Sequence, residues 1–425
     1  MSDLRPRSSR SAQTAGIARH GQLKKSSPWP TILKFLGAAL VVALVSGASL
    51  GAIVVSQIKS NITTVTLVSE ETEGPPPSIG AYEGGFNILI VGSDVCEDGS
   101  GCAGRGSAEL NDVTMLLHVS EDQTNAVAVS IPRDLVVRVP SCPQADGTGT
   151  TSEMAGRPIN ETLYYGGLPC TVLTVEALTG LDIQFAGLIT FNGVINMTTA
   201  VGGVDVCIDG PIRDKYSGFT ADAAGTYNLS GPQALAFLRT RHGVGDGSDL
   251  TRISSQQVYL SSLVRTLKSA DTLGDPVKIY NLAKAATGSM TLSKNFANLD
   301  TLASIGLALK DIPLENVTFV QFPGTTGVGG LYQGKVAPVK AKADALFELI
   351  RTDTPFGLAA AGDGRGSAAD PNAPAVVPPA VDPAAPVDPA APVDPAATAP
   401  PATPLEVLDI KGQTAADYTC SVANN

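Results

Sequence analysis

The chain has 425 residues, 43% of them hydrophobic but only 5% aromatic, and a formal charge of −11. That acidic balance argues against a nucleic-acid partner, whose binders carry a basic patch or stripe. Three histidines (His20, His118 and His242) and no CxxC pair leave almost no material for a His/Cys zinc site.

The charge is segregated along the chain. Residues 1–34 hold seven basic residues against Asp3 alone, and residues 35–55, FLGAALVVALVSGASLGAIVV, hold no charge. Everything after position 55 carries 22 basic and 39 acidic residues, a net of −17. An uncharged run of this length can span a bilayer core, which takes ~20 helical residues. The basic tail is expected to stay in the cytoplasm. This gives a single-pass type II signal-anchor in the cell membrane, with the remainder outside. A cleaved signal peptide, with a shorter apolar stretch of ~7–15 residues, is the competing reading; the small residues around Ala48–Ala52 keep it open.

Residues 56–81 read as a stalk ending in the breaker GPPPS (Gly74–Ser78), and residues 82–356 as one folded domain. In it, Phe86–Asp94 is a continuous apolar run ending in Gly-Ser-Asp, as a buried strand feeding a loop would be. Further strands are predicted at Val113–Val119, Ala126–Ile131, Val136–Val139, Gly202–Asp209 and Val317–Pro323, with helices at Thr171–Thr179 and Phe191–Ala200. Such alternation implies a layered α/β domain, whose ligands gather beyond the C-terminal ends of the strands. Asp94, Arg133 and Asp134 lie just past predicted strand ends. Residues 357–404 collapse into Ala, Pro, Val and Asp, with VDPAA repeated at Val381, Val387 and Val393, and read as an extended linker. A short segment, 405–425, follows.

All six cysteines fall after the apolar run. An even number outside the cell suggests disulfides, and six thiols allow 15 connectivities. Cys96 and Cys102 flank a Gly-rich loop and make a plausible local pair; Cys142–Cys170 and Cys207–Cys420 then follow by elimination.

The most informative stretch is LSGPQALAFLRTRHGVGDGSDLTRISSQQVYLSSLVRTL (Leu229–Leu267). Ser230 and Gln233 have capping-box spacing with Pro232 early in the first turn, so a helix is expected to start there. It delivers Arg239 and Arg241 to a mobile Gly-rich loop, Gly243–Ser248. A second helix starts near Asp249 and buries Ile253, Leu260, Val264 and Leu267, with Asp249, Arg252 and Gln256 together on another face. Arginines and aspartates around Gly-rich loops suit a pyrophosphate: guanidinium groups grip its oxygens in pairs, and carboxylates can hold Mg²⁺. A solvated, salt-bridged helix face is the alternative.

In their order and spacing, NILIVGSD, NDVTMLLHV, AVSIPRDL, INETLYYGG, GGVDVCID and ALAFLRTRHGVGDGSDLTRISSQQ resemble the LytR-CpsA-Psr family of bacterial cell-wall enzymes. The resemblance is strong over residues 86–270 and looser to Asp353-Thr354-Pro355. It implies an α/β/α domain with a central mixed sheet and an apolar polyprenyl pocket. The implied activity is a Mg²⁺- or Mn²⁺-dependent phosphotransferase that moves a glycopolymer from undecaprenyl pyrophosphate to a peptidoglycan hydroxyl. By the same resemblance, Asp94, Asp112, Arg133, Arg239, Arg241, Arg252 and Gln256 are pyrophosphate-binding positions. Arg133, Arg239, Arg241, Arg252 and Asp249 are catalytic, and Asp94 and Asp249 hold the metal. Asp249 alternatively orients an arginine or helps take the acceptor proton. The composition resembles that of high-GC Gram-positive proteins.

Three family positions differ here. Val95 and Cys96 follow Asp94 where arginine is common, Leu110-Asn111-Asp112-Val113 replaces Arg-Ser-Asp-Thr, and Ser255 replaces an arginine before the paired glutamines. Arg105 is a candidate substitute. A polyprenyl-pyrophosphate hydrolase and a catalytically weak wall-binding or regulatory protein are the competing functions.

Overall fold

The computed structural model describes residues 29–71, 84–95, 109–144, 148–269, 272, 275–373 and 406–424. It divides into two units at Ser56/Gln57. The first unit contains most of one long helix, Trp29–Asn61. Its window Ile32–Ser49 has a mean hydropathy of 2.0, long and apolar enough to cross a membrane. Side chains such as Phe35 and Leu36 are exposed on it.

The second unit is built on an eight-stranded mixed sheet. Its spatial order is Thr63–Val65, Met290–Ser293, Phe185–Ile189, Phe86–Ser93, Asn111–Val119, Ala126–Ile131, Val317–Gln321 and Gly412–Thr414. The Phe86–Ser93 strand shows why its sequence reads as a continuous apolar run. Strand residues alternate between faces, and both faces are covered. Leu89 and Val91 enter a core with Val172 and Val175 of the Thr162–Thr179 helix and with Leu346 and Phe347 of the Lys340–Arg351 helix. Phe86 and Ile88 enter another with Ile305 and Ala308 of the Leu299–Lys310 helix. The neighbouring Ala128 and Phe319 meet Leu260 and Val264 of the Asp249–Lys268 helix. The result is the expected α/β/α layering.

Most predicted elements fall within two residues of the observed ones. The helix expected from Thr171 begins earlier, at Thr162, because two helical pieces run on across a break at Gly166 and Gly167. The Gly-Gly pair and Pro169 had hidden the first piece. Cys142–Cys170 crosses beside this break, and Cys207–Cys420 joins residues 213 apart. Cys96, Cys102, Arg105, residues 72–81 of the expected stalk and the VDPAA repeats lie outside the described residues. The rest of that stretch is not a stalk, since the helix runs to Asn61, Thr63–Val65 pairs with Met290–Ser293 in the sheet and Leu67 is buried.

The C-terminal region differs most from expectation. Residues 356–373 are structured, so the linker does not begin at 357, and residues 406–424 are part of the folded unit. Gly412–Thr414 is an edge strand of the central sheet, antiparallel to Val317–Gln321. Thr419–Ser421 lies between Val204–Ile208 and Ser367–Ala369 in a second, four-stranded sheet. Three short apolar-polar strands carry too little hydrophobic period to be told from loop by sequence alone.

Gly366 shows how closely this region packs. A Cβ there would lie 2.3 Å from the Thr251 carbonyl oxygen, at the start of the Asp249–Lys268 helix. Gly366→Ala is therefore expected to destabilise the domain by roughly 2 kcal/mol, visible as a lower Tm in thermal unfolding. An unchanged Tm would show that the loop can move off the helix freely.

Candidate active site

Four strands of the central sheet point the same way: Phe185–Ile189 is parallel to Phe86–Ser93, and Val317–Gln321 to Ala126–Ile131, with Asn111–Val119 antiparallel between the two pairs. Their C-terminal ends share one edge. That edge receives Phe191, Asp94, Arg133 and Phe322, and it receives Asp112 from the start of the antiparallel strand. The rule that ligands gather at strand ends therefore selects the same residues as the motifs.

The charged centre is a compact network. Arg133 Nη1 donates to Asp112 Oδ1 at 2.6 Å, and Arg133 Nε lies 3.7 Å from Asp249 Oδ1 and 3.8 Å from Asp134 Oδ2. Arg252 Nη2 lies 2.6 Å from Asp249 Oδ1 and donates to the Asp112 carbonyl at 3.0 Å. Burial works against the Arg133 cation, but Asp112, Asp249 and Asp134 outweigh it, and its pKa is held above the ordinary value.

This centre is buried, not a solvated helix face: Asp249, Arg252 and Gln256 are 3%, 5% and 8% exposed. Ser248 caps the helix by accepting from the Thr251 N–H, and Asp249 occupies the favourable first turn. Leu260, Val264 and Leu267, expected in the core, are half-buried, whereas Ile253 is fully buried. The preceding helix, Gly231–Arg239, starts after Ser230 as expected, but the Ser230 side chain makes no cap; only its carbonyl accepts, from Gln233 N–H.

Several polar atoms here are left without directional partners. Arg133 Nε, Arg252 Nε and both carboxylate oxygens of Asp249 are buried and make no hydrogen bond among the described residues. Asp249 Oδ1 is still ion-paired with Arg252 at 2.6 Å, so the unused capacity lies in Asp249 Oδ2 and the two Nε–H groups. Native interiors satisfy nearly all such groups, and spare ones in one cleft suit a polar ligand. The same atoms bear on a metal. Asp249 offers one buried oxygen with unused acceptor capacity, Oδ2, while Asp94 is 7% exposed and uses Oδ1 to accept the Leu110 N–H at 3.0 Å. Among the described residues, the one group of three ligand types within 4.8 Å is Cys207, Asp370 and Cys420, and two of these are disulfide-bonded. Mg²⁺ at the charged centre would thus draw on few side chains and on oxygens from the ligand, as is usual for this ion.

Beside the network is a cavity of about 160 Å³. Ile90, Met115, Ile189, Val194, Leu235 and Leu260 give it apolar walls, and Asp112, Arg239, Arg252 and Gln256 line it as well. Gln256 is fixed by donating to the Leu238 carbonyl at 2.8 Å. The Arg239 guanidinium lies 4.4 Å from the Phe191 ring centroid. Phe191, a platform for Arg239, is a site residue the sequence reading passed over; its place just after a strand end was the available signal. The cavity is smaller than the ~300–1,000 Å³ of ordinary ligand pockets.

Two of the expected pyrophosphate-binding residues, Arg241 and Asp94, do not line the cavity. Arg241 donates from Nε to the Gly247 carbonyl at 3.0 Å and does not line the cavity. It shapes the loop before Asp249. Asp94 follows Ser93, which lines the cavity, and ties the two ends of the segment spanning 95–109 through Leu110. The loop 243–248, expected to be mobile, is pinned by the C-terminal segment: Gly245 N–H donates to Val422 O at 2.9 Å and Asn424 N–H to Gly243 O at 3.0 Å. Gly245 has φ +49°, and a Cβ there would meet Thr251 and the Arg365 carbonyl at 2.7 Å. Ser255 is buried, with Oγ 2.7 Å from Ser421 Oγ. The C-terminal strand occupies the space an arginine at 255 would need.

The LytR_cpsA_psr family model matches residues 52–348, more than half of the chain. The chain belongs to this family. Among curated proteins it is similar to the cell wall biosynthesis protein LcpA of Corynebacterium glutamicum, 30% identical over 295 residues, 63% of this chain and 56% of that protein. It is also similar to the polyisoprenyl-teichoic acid–peptidoglycan teichoic acid transferase TagT of Bacillus subtilis, 24% identical over 68% of this chain and 88% of that protein. The chain spans 56% of the length of LcpA and 64% of that of a second similar protein, the probable cell wall biosynthesis protein LcpB of the same organism. In fold it resembles a LytR-Csp2A-Psr enzyme from Actinomyces oris, with a TM-score of 0.50, 20% identity, and 68% and 96% coverage of the two chains. The LytR_cpsA_psr match stops at 348, before the strands that pin the 243–248 loop.

Proposed function

We propose that the chain is a membrane-anchored phosphotransferase that moves a glycopolymer from undecaprenyl pyrophosphate to a peptidoglycan hydroxyl. The observation that carries this is the junction of an apolar cavity with the half-buried Arg133, past the end of a parallel strand, and the buried Arg252 on the helix beside it, each with a buried Nε that makes no hydrogen bond. The polyprenyl chain enters between Ile90, Met115 and Leu260, and its remaining length extends out of the small cavity. Arg133, Arg239 and Arg252 receive the pyrophosphate oxygens, each guanidinium matching them in a planar fork.

The acceptor oxygen attacks the sugar-linked phosphorus, the bond to polyprenyl phosphate breaks, and polyprenyl monophosphate leaves. The proton of the acceptor hydroxyl passes to Asp249 Oδ2, while Oδ1 stays paired with Arg252. Asp249 and Asp112 also hold Arg252 and Arg133 in register. Charge developing on the transferred group meets cations fixed beforehand, which is where electrostatic catalysis gains most. Mg²⁺ or Mn²⁺ would be held by Asp94 and pyrophosphate oxygens, Asp249 being kept for the proton; when bound, the ion spreads the negative charge of the pyrophosphate. The Ile32–Ser49 window supports a type II anchor with the catalytic domain outside.

The test is transfer from a polyprenyl-pyrophosphate-linked polymer to peptidoglycan by the full chain in detergent, followed by mass spectrometry of the phosphodiester product. Activity is expected to fall at least ~10²-fold on chelation and to return with Mg²⁺ or Mn²⁺. Release of polymer into water with none attached to peptidoglycan would refute the transferase reading in favour of hydrolysis.

A further inference from the structure

A second groove lies at the same sheet edge, on the other side of the charged centre from the apolar cavity. The lateral order of the strands fixes this. Ile189 and Phe191, at one side, line the apolar cavity. Arg133, in the middle, follows Ala126–Ile131. The next strand, Val317–Gln321, runs into Phe322, Pro323 and Gly324, which line the second groove. The two strand ends are tied together, since Phe322 N–H donates to Ser130 O at 2.9 Å. Leu250, the neighbour of Asp249, lines the groove and accepts from Gln321 Nε2 at 2.8 Å. The groove therefore starts one residue from the charged centre.

The groove has a volume of about 320 Å³ and three cations, Lys342, Arg365 and Lys411. Two acids face them: Asp409 accepts from Lys342 Nζ at 2.8 Å, and Asp246 lies 3.6 Å from Arg365. Asp409 also faces Lys411, though beyond ion-pair distance, so the three cations exceed the two acids by one charge. An excess of positive charge in a chain of net −11 is a local feature with a sign, and that sign selects an anionic ligand.

Which ligand follows from the direction of the reaction. In-line displacement at phosphorus places the attacking and leaving oxygens on opposite sides. The leaving polyprenyl phosphate departs on the apolar-cavity side, so the acceptor must approach from the groove side. We propose that the groove of Lys342, Arg365 and Lys411 is the acceptor subsite, binding carboxylates of the peptidoglycan stem peptide while the sugar hydroxyl reaches the charged centre. This rests on the transferase reading and extends it. Arg365 and Lys411 lie beyond the segment that matches the family, residues 52–348, so this groove is a feature the matched segment does not supply by itself.

The test uses the full chain in detergent with two probes, a soluble disaccharide-peptide of peptidoglycan bearing free carboxylates, and farnesyl pyrophosphate. Binding of each is measured by titration calorimetry in wild type and in the triple variant K342Q/R365Q/K411Q. These three side chains are exposed, and the melting temperature checks that the variant folds. The variant is expected to raise the Kd for the disaccharide-peptide by about 5- to 10-fold and to leave that for farnesyl pyrophosphate unchanged. The wild-type affinity should weaken with salt and with amidation of the peptide carboxylates. Equal binding of the disaccharide-peptide by both proteins, or none by wild type, overturns the proposal while farnesyl pyrophosphate binding stands. A variant that instead loses affinity for a glycerol-phosphate oligomer assigns the groove to the donor polymer and also overturns it. No binding of farnesyl pyrophosphate to wild type overturns the transferase reading, and the acceptor role with it.

Discussion

Arg133→Ala is expected to lower the transfer rate by roughly 10²–10³-fold, about 3–4 kcal/mol of transition-state stabilisation. Arg133 faces three carboxylates at once, Asp112, Asp134 and Asp249. Its removal takes away a fixed cation from the place where phosphoryl charge develops, and it leaves Asp112 and Asp249 facing each other with less compensation. The domain should still fold, because Arg133 is partly exposed and contributes no apolar packing. The measurement is initial transfer rate alongside a thermal melt. A variant with wild-type rates would remove Arg133 from the site, and a variant that fails to fold is replaced by Arg133→Lys, which keeps the charge but not the planar fork. Arg239→Ala should behave alike, with Phe191 losing its stacked partner.

Breaking the Cys207–Cys420 disulfide is expected to have the largest effect on stability. It links residues 213 apart, and in the chain-entropy picture a loop of that length is worth about 5 kcal/mol, the upper part of the usual 2–5 kcal/mol range. Both cysteines sit in the same four-stranded sheet, paired directly across parallel strands. The C420S variant should therefore unfold at markedly lower denaturant concentration, and the first segment to loosen should be residues 406–424. Hydrogen exchange would read this, with Gly245 N–H losing protection together with Val422. Unchanged exchange at Gly245 in C420S would show that the C-terminal strand holds the loop by packing alone.

The sequence made some parts of this molecule far more legible than others. Strands such as Phe86–Ser93 and Ala126–Ile131 were readable because both faces are buried, which forces apolar residues at nearly every position. The charged centre was readable as a set of motifs, and Asp112, Arg133, Asp249 and Arg252 do come together. Burial was the part that spacing could not supply. An Asp–Arg pair at i, i+3 has the same pattern on a wet surface as in a cleft; only the tertiary fold, which covers Asp249 from the Arg133 side, separates the two.

The C-terminal residues were illegible for a different reason. Gly412–Thr414 and Thr419–Ser421 are three-residue strands, too short for any period, and they follow a Pro/Ala-rich segment that reads as linker. Their structure comes from non-local pairing with Val317–Gln321 and Val204–Ile208. The 243–248 loop was hard to read for the same reason, since a Gly-rich loop looks mobile until its partners Val422 and Asn424 are known. The same strand accounts for Ser255, where a neighbour too distant in sequence to be foreseen fills the space of a larger side chain.

That pairing also sets an order of events. The residues that fix the loop ahead of Asp249 come after every other strand in the chain, and their disulfide forms only where thiols are oxidised. A chain still emerging from synthesis, or still in a reducing compartment, holds Arg133 and Asp112 on early strands but lacks the clamp on the loop that leads into Asp249 and Arg252. The loop ahead of the arginine centre thus depends on the last strand among the described residues, and on a disulfide that a reducing compartment would not keep.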